Sequence, residues 1–159
     1  MNTHFLAISM ALLMGFTGLN FNNTTINSDT DVTEINAPVK TIVINSNDQM
    51  KFDTAEIKVK AGEKVKLTLN HTGQLPKNAM GHNFVLLKKG IDVADFAMKA
   101  MDAKDNEYIP SKGVIAHTKL IGGGESTTIE FTAPAKGTYD FICSFPGHYA
   151  MMKGKFIVE

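Results

Sequence analysis

The chain has 159 residues, enough for one domain with a substantial core. Its 16 basic residues balance its 16 acidic ones, which argues against nucleic acid as a partner, because phosphate binding needs a basic surplus. The same balance argues against an anionic membrane surface as the main partner. One cysteine excludes an internal disulfide and leaves a metal ligand, an intermolecular partner, a reactive thiol or a buried bystander.

Residues 5–19 form an uncharged apolar run. It is shorter than the ~20 residues of a membrane span and has the length of a secretory signal core. Residues 1–4 hold no lysine or arginine, and no A-x-A cleavage site follows. Length still favours a cleavable signal over residues 1–19 ahead of an uncleaved anchor. The absence of a following cysteine excludes a lipoprotein anchor. Residues 20–37 are mostly Asn, Thr, Ser and Asp, a composition that buries too little to order itself and reads as a flexible spacer. The folded domain is expected over residues 38–159.

Within that domain the pattern has period two. Ile57 and Val59 alternate with Lys58 and Lys60, and Val65, Leu67, Leu69 and His71 share one face. Ile129 and Phe131 flank Glu130, while Tyr139, Phe141 and Cys143 share a face opposite Asp140 and Ile142. These read as half-buried strands of an antiparallel fold, separated by turns at Ala61-Gly62, Thr72-Gly73, Gly122-Gly-Gly124 and Lys136-Gly137. The fold class is therefore all-β, a sandwich or barrel. Residues 93–101 are rich in helix formers and predict one short inserted helix, with Val93, Phe96 and Met101 toward a core.

The chemistry concentrates near the C-terminus. Cys143, His148 and Met152 lie in one strand-loop-strand stretch, bent at Pro146-Gly147 with no helix required, and Gly81-His82-Asn83 offers a second imidazole. Alternation points Cys143 inward, where a thiol is inert unless a metal or cation stabilises its thiolate. Any one of these residues alone is more often core packing than a ligand. Together they supply the two His, one Cys and weak Met of a mononuclear blue-copper site. The Gly81 carbonyl is a candidate weak fifth donor, and Asn83 a candidate support tying the two ligand segments together. Zinc is the chemical rival, but a thioether is a poor zinc ligand and neither segment holds a carboxylate to act as general base. A Cys–His nucleophile pair fits poorly with an inward thiol among aromatics.

The stretches Asn47-Asp-Gln-Met50, Leu75-Pro-Lys-Asn-Ala-Met-Gly-His-Asn83, Val114-Ile-Ala-His-Thr-Lys-Leu-Ile-Gly122, Phe145-Pro-Gly-His148 and Met152-Lys-Gly154 resemble the azurins, blue-copper electron carriers of the cupredoxin fold. The resemblance spans residues from about Thr41 to Glu159. It implies a Greek-key β-sandwich with one copper near one end. It implies His82, Cys143 and His148 as the close ligands, Met152 as the weak axial one, and the Gly81 carbonyl opposite it. Ser144 and Phe145 join Asn83 as supporting residues, with the Phe145 N–H directed at the sulfur. An apolar patch of Met50, Met80, Phe145, Pro146, Gly147 and Ala150 is implied for docking redox partners, such as a c-type cytochrome or a copper or haem reductase. His71 and His117 match family histidines that do not bind copper. Three features depart from the family. The positions of its disulfide, near Lys40 and Gly62, lack cysteine. Its core tryptophan is absent, with Phe84 following Asn83 and with Ile44 and Val59 as core aliphatics. The polar spacer before Pro38 is unusual.

The expected function is one-electron transfer by an exported, periplasmic copper protein, tethered to a membrane only if the N-terminal segment stays uncleaved. It is expected to be a carrier and not an enzyme. A periplasmic copper buffer or delivery protein is the alternative. A copper oxidase or reductase domain would need a second metal site, which the scattered His4, His71 and His117 do not build.

Overall fold

The computed structural model describes residues 38–159; the expected signal segment and spacer lie outside the described residues. Among the described residues, nine strands form two sheets. The first has the order β2-β1-β4-β7, built from β1 (Val39–Asn47), β2 (Lys51–Phe52), β4 (Lys64–His71) and β7 (Ser126–Thr132). The second has the order β3-β9-β8-β5-β6, built from β3 (Glu56–Val59), β5 (Val85–Leu87), β6 (Val114–His117), β8 (Gly137–Ile142) and β9 (Lys153–Val158). Alternation places Val65, Leu67, Leu69 and His71 of β4 inward. Val65, Leu67 and Leu69 meet Ile57 and Val59 of β3 and Tyr139 and Phe141 of β8 in the core between the sheets. Phe84 and Ile44 are fully buried in the same core.

The expectation of an antiparallel fold needs correction. Most pairs are antiparallel, but β1 runs parallel to β4 and β3 parallel to β9. The chain leaves the first sheet after β2, places β3 at the edge of the second, and crosses back into β4. A return through the other sheet frees the strand from the hairpin rule that imposes antiparallel pairing.

Helix α2 (Val93–Met101) follows α1, a single turn over Lys77–Met80. Asp92 caps α2 by accepting the Asp95 N–H at 2.8 Å. Phe96, Ala97 and Ala100 are its buried residues, whereas Met101 is exposed, contrary to expectation. At 100° per residue, positions 93, 96, 97 and 100 share one stripe, and 101 falls at its margin. Phe96 packs with Val85, Leu87, Ile109 and Ile142 in a second cluster on the outer side of the second sheet. For that reason Ile142, opposite the Phe141 face, is also fully buried. Strand β8 is thus covered on both faces where it approaches Cys143, and a period-two reading of one half-buried face misses this.

Candidate metal centre

The candidate donors at the strand ends converge where β5, β8 and β9 meet the connecting loops. His82 sits just before β5, in a bridge with Ile121. Its N–H bonds Ile121 O at 2.9 Å, and the reciprocal bond is 2.9 Å. Cys143 follows β8 directly. The loop to β9 is closed at its base by the Cys143 N–H to Met152 O, 2.9 Å, and internally by the Met152 N–H to His148 O, 2.8 Å. Gly147 has φ +83, a left-handed bend open to glycine, and it turns the chain into a single 3-10 turn over His148–Ala150. The loop was expected to need no helix. This one turn swings His148 back over Cys143.

Sequence-distant donors come together as a result. Cys143 Sγ lies 3.9 Å from His82 Nδ1 and 3.7 Å from His148 Nδ1, and the two Nδ1 atoms are 3.2 Å apart. All three residues are buried. The Gly81 carbonyl oxygen is 3.9 Å from Sγ. Met152 is fully buried and tied through its backbone to both Cys143 and His148. Asn83 Oδ1 accepts the Ser144 N–H at 2.8 Å, and Asn83 Nδ2 donates to Ser144 Oγ at 2.9 Å. One side chain therefore clamps the segment carrying His82 to the segment carrying Cys143.

The protonation states suit a cation. His82 Nε2 lies 2.9 Å from the Asn47 carbonyl, which can only accept, so Nε2 carries the proton and Nδ1 presents its lone pair inward. Burial pushes His148 down to about 4, helped by the charges of His82 and His71, and burial also lowers His82. Burial pushes the Cys143 thiol up to about 12, against the opposing pull of the Asn83 and Phe145 backbone N–H groups. The cluster thus holds two neutral imidazoles and a thiol whose ionisation needs a partner charge. A small transition-metal ion about 2.0–2.3 Å from nitrogen and sulfur in one plane would space such donors about 3.5–3.8 Å apart, close to the separations found. The residues fit a metal ion of soft to borderline character.

The histidines also set how stability depends on pH without metal. An unfolded histidine protonates near 6.5, whereas folded His148 resists until about 4. Between those values the unfolded state binds the extra proton, so stability is full above pH 6.5 and falls as pH drops toward 4. Metal-free protein should therefore show urea midpoints that decline from pH 7 to 4.5, with a shallower decline in His148→Gln.

Some contributors were not foreseen. The Asn47 carbonyl orients His82, and the Glu107 carbonyl receives the Asn83 amide at 3.2 Å; backbone groups carry no side-chain signal. His71, expected to be a buried histidine near the site, is buried and stacks on His82 with ring centroids 4.4 Å apart. His117 is exposed on β6. In the expected docking patch, Met50, Met80, Phe145 and Pro146 are half-buried, and Gly147 and Ala150 are exposed.

A two-sheet sandwich closed at one end around two imidazoles and a thiol, with a buried methionine in the same loop, defines a blue-copper protein of the cupredoxin class. The model of copper binding proteins of the plastocyanin/azurin family matches residues 38–159, and the chain belongs to that family. It is 44% identical to azurin of Pseudomonas chlororaphis over 123 residues, covering 73% of this chain and 95% of that protein. It is 45% identical to outer membrane protein H.8 of Neisseria gonorrhoeae, covering 70% of this chain and 63% of that longer protein. Auracyanin A, a blue copper protein of Chloroflexus aurantiacus, superposes with a TM-score of 0.70 at 34% identity, over 77% of this chain and 100% of its own. An azurin of Methylomonas sp. strain J gives a TM-score of 0.68 at 38% identity, over 76% and 98%. The cofactor is copper, and the protein is a blue-copper electron-transfer protein.

Proposed function

We propose that His82 Nδ1, Cys143 Sγ and His148 Nδ1 would hold copper closely, with the Met152 thioether and the Gly81 carbonyl as weaker donors. The observation that carries this reading is the convergence of three buried donor atoms, all within 4.8 Å of one another. Copper supplies the Cu(II)/Cu(I) couple when bound. The chain's residues hold the donors in place. Asn83 locks two ligand segments together, the Asn47 carbonyl fixes one tautomer, and the Asn83 and Phe145 N–H groups face the sulfur. Donors this constrained rearrange little between oxidation states. Their burial favours a resident cofactor over copper held for delivery.

The patch of Met50, Met80, Phe145, Pro146, Gly147 and Ala150 is the docking face for redox proteins, a c-type cytochrome or a copper or haem reductase being the expected kinds. Its Phe145 ring lies 4.7 Å from the ring of His148, which at 4% exposure is the least enclosed of the four side-chain donors. The protein carries electrons and performs no substrate chemistry of its own. It works after export, in the periplasm. Among the described residues no helix is long and apolar enough to cross a membrane.

The docking face is tested by Ala150→Asp. A charge on an apolar contact must be desolvated when the partner binds. The second-order rate with an oxidised c-type cytochrome should fall about tenfold, equivalent to ~1.4 kcal/mol, with the visible spectrum intact. An unchanged rate would remove this face from the interface.

A further inference from the structure

Beside the metal end lies a group of side chains that are not among the proposed copper ligands. Glu107 and Tyr108 are successive non-glycine residues at φ +54 and +63, a backbone rarely adopted by L side chains. Three contacts hold them there. The Tyr108 N–H bonds Ala103 O at 2.9 Å, the Glu107 carbonyl receives the Asn83 amide at 3.2 Å, and the Glu107 carboxylate receives the Leu120 N–H at 3.1 Å. The strained turn sets the Tyr108 ring edge-on against Phe145, with centroids 5.2 Å apart and planes at 69°. The Phe145 ring in turn lies 4.7 Å from the His148 ring. A continuous row of rings therefore runs from the His148 imidazole sideways to a half-buried phenol.

The row ends in a cleft of about 310 Å³ whose lining includes Tyr108, Phe145, Leu120, Lys77, Lys104 and Glu107. Among the described residues Glu107 is its only carboxylate. That group is turned onto the Leu120 N–H and reaches Lys77 only at 3.9 Å. Lys104 makes no ion pair among the described residues. In a chain of zero net charge, this leaves a local basic surplus where the rings reach the surface. Fields of this kind raise the local concentration of oppositely charged ligands.

We propose that this cleft is a second electron port, which takes a small redox-active anion and is joined to His148 through Tyr108 and Phe145. One electron leaves the reduced protein and the oxidising anion gains it; no bond forms or breaks and no proton moves. The port rests on the electron-carrier reading; it shares Phe145 with the apolar docking face and differs from it in carrying Lys77 and Lys104.

Stopped-flow oxidation of the reduced, copper-loaded protein tests it, with ferricyanide as the anionic probe and tris(phenanthroline)cobalt(III) as the cationic one. The double variant Lys77→Gln/Lys104→Gln should lose about threefold to tenfold in ferricyanide rate at low salt, in line with electrostatic steering, and keep its rate with the cobalt complex. Tyr108→Leu should also slow ferricyanide several-fold, and Tyr108→Phe, which keeps the ring, should restore it. Reduction potential and visible band should be unchanged in all three. Equal effects on both probes, no effect on either, or a Tyr108→Phe rate as low as that of Tyr108→Leu would overturn the port. Absence of the visible band in the parent protein would instead overturn the carrier reading itself.

Discussion

Cys143→Ser should abolish the intense visible band of the copper-loaded protein and weaken copper(II) binding by at least about a hundredfold. Residues that merely support a ligand are already worth ~10–100-fold in metal affinity, and the thiolate is the strongest donor of this set. The metal-free fold should be retained, because a hydroxyl would replace the thiol between the same Asn83 and Phe145 N–H groups. Absorption at one equivalent of copper, with urea denaturation of the metal-free variant as control, checks both parts. A surviving band would remove Cys143 from the copper ligands.

Gly154→Ala carries the largest expected cost to stability. Gly154 of β9 pairs across the ladder with Phe141 of β8. The Phe141 ring lies over the bare glycine, at a point where the Ala55 carbonyl also packs closely. An added methyl would overlap that ring and come within 2.6 Å of Ala55 O. The carbonyl is backbone and cannot step aside, and the ring is buried in the core. The loss should reach the upper part of the overpacking range, about 3 kcal/mol, or ~10 °C in thermal midpoint for a domain of this size. Trimming the ring with Phe141→Leu in the same chain should recover part of it, because the two side chains compete for one space. Strict additivity of the two changes would place the strain elsewhere.

Much of this was readable from residue types and spacing. Period two located β3, β4, β7 and β8, and helix formers located α2, because both signals follow from burying one face. The site was readable for a different reason: cysteine, histidine and methionine at close spacing have few other joint uses. Sequence could not supply what depends on distant chain segments. The parallel β1–β4 and β3–β9 pairs follow from crossing between sheets, and the double burial at Ile142 follows from α2 covering the outer side. Met101 was misplaced by a fraction of a helical turn. The contributions of Asn47 and Glu107 to the centre are made by carbonyls, which every residue possesses. The missing family disulfide leaves β1 held by its parallel ladder to β4 and by Ile44, which is fully buried.

The most direct measurement is a titration of the metal-free protein with copper(II), followed by visible absorption and then by reduction with ascorbate. A strong thiolate-to-copper band that saturates at one equivalent, and bleaches and returns with reduction and reoxidation, is the predicted result. Tight binding at one equivalent without that band would contradict a centre built on Cys143, His82 and His148, and would favour a protein that stores or delivers copper.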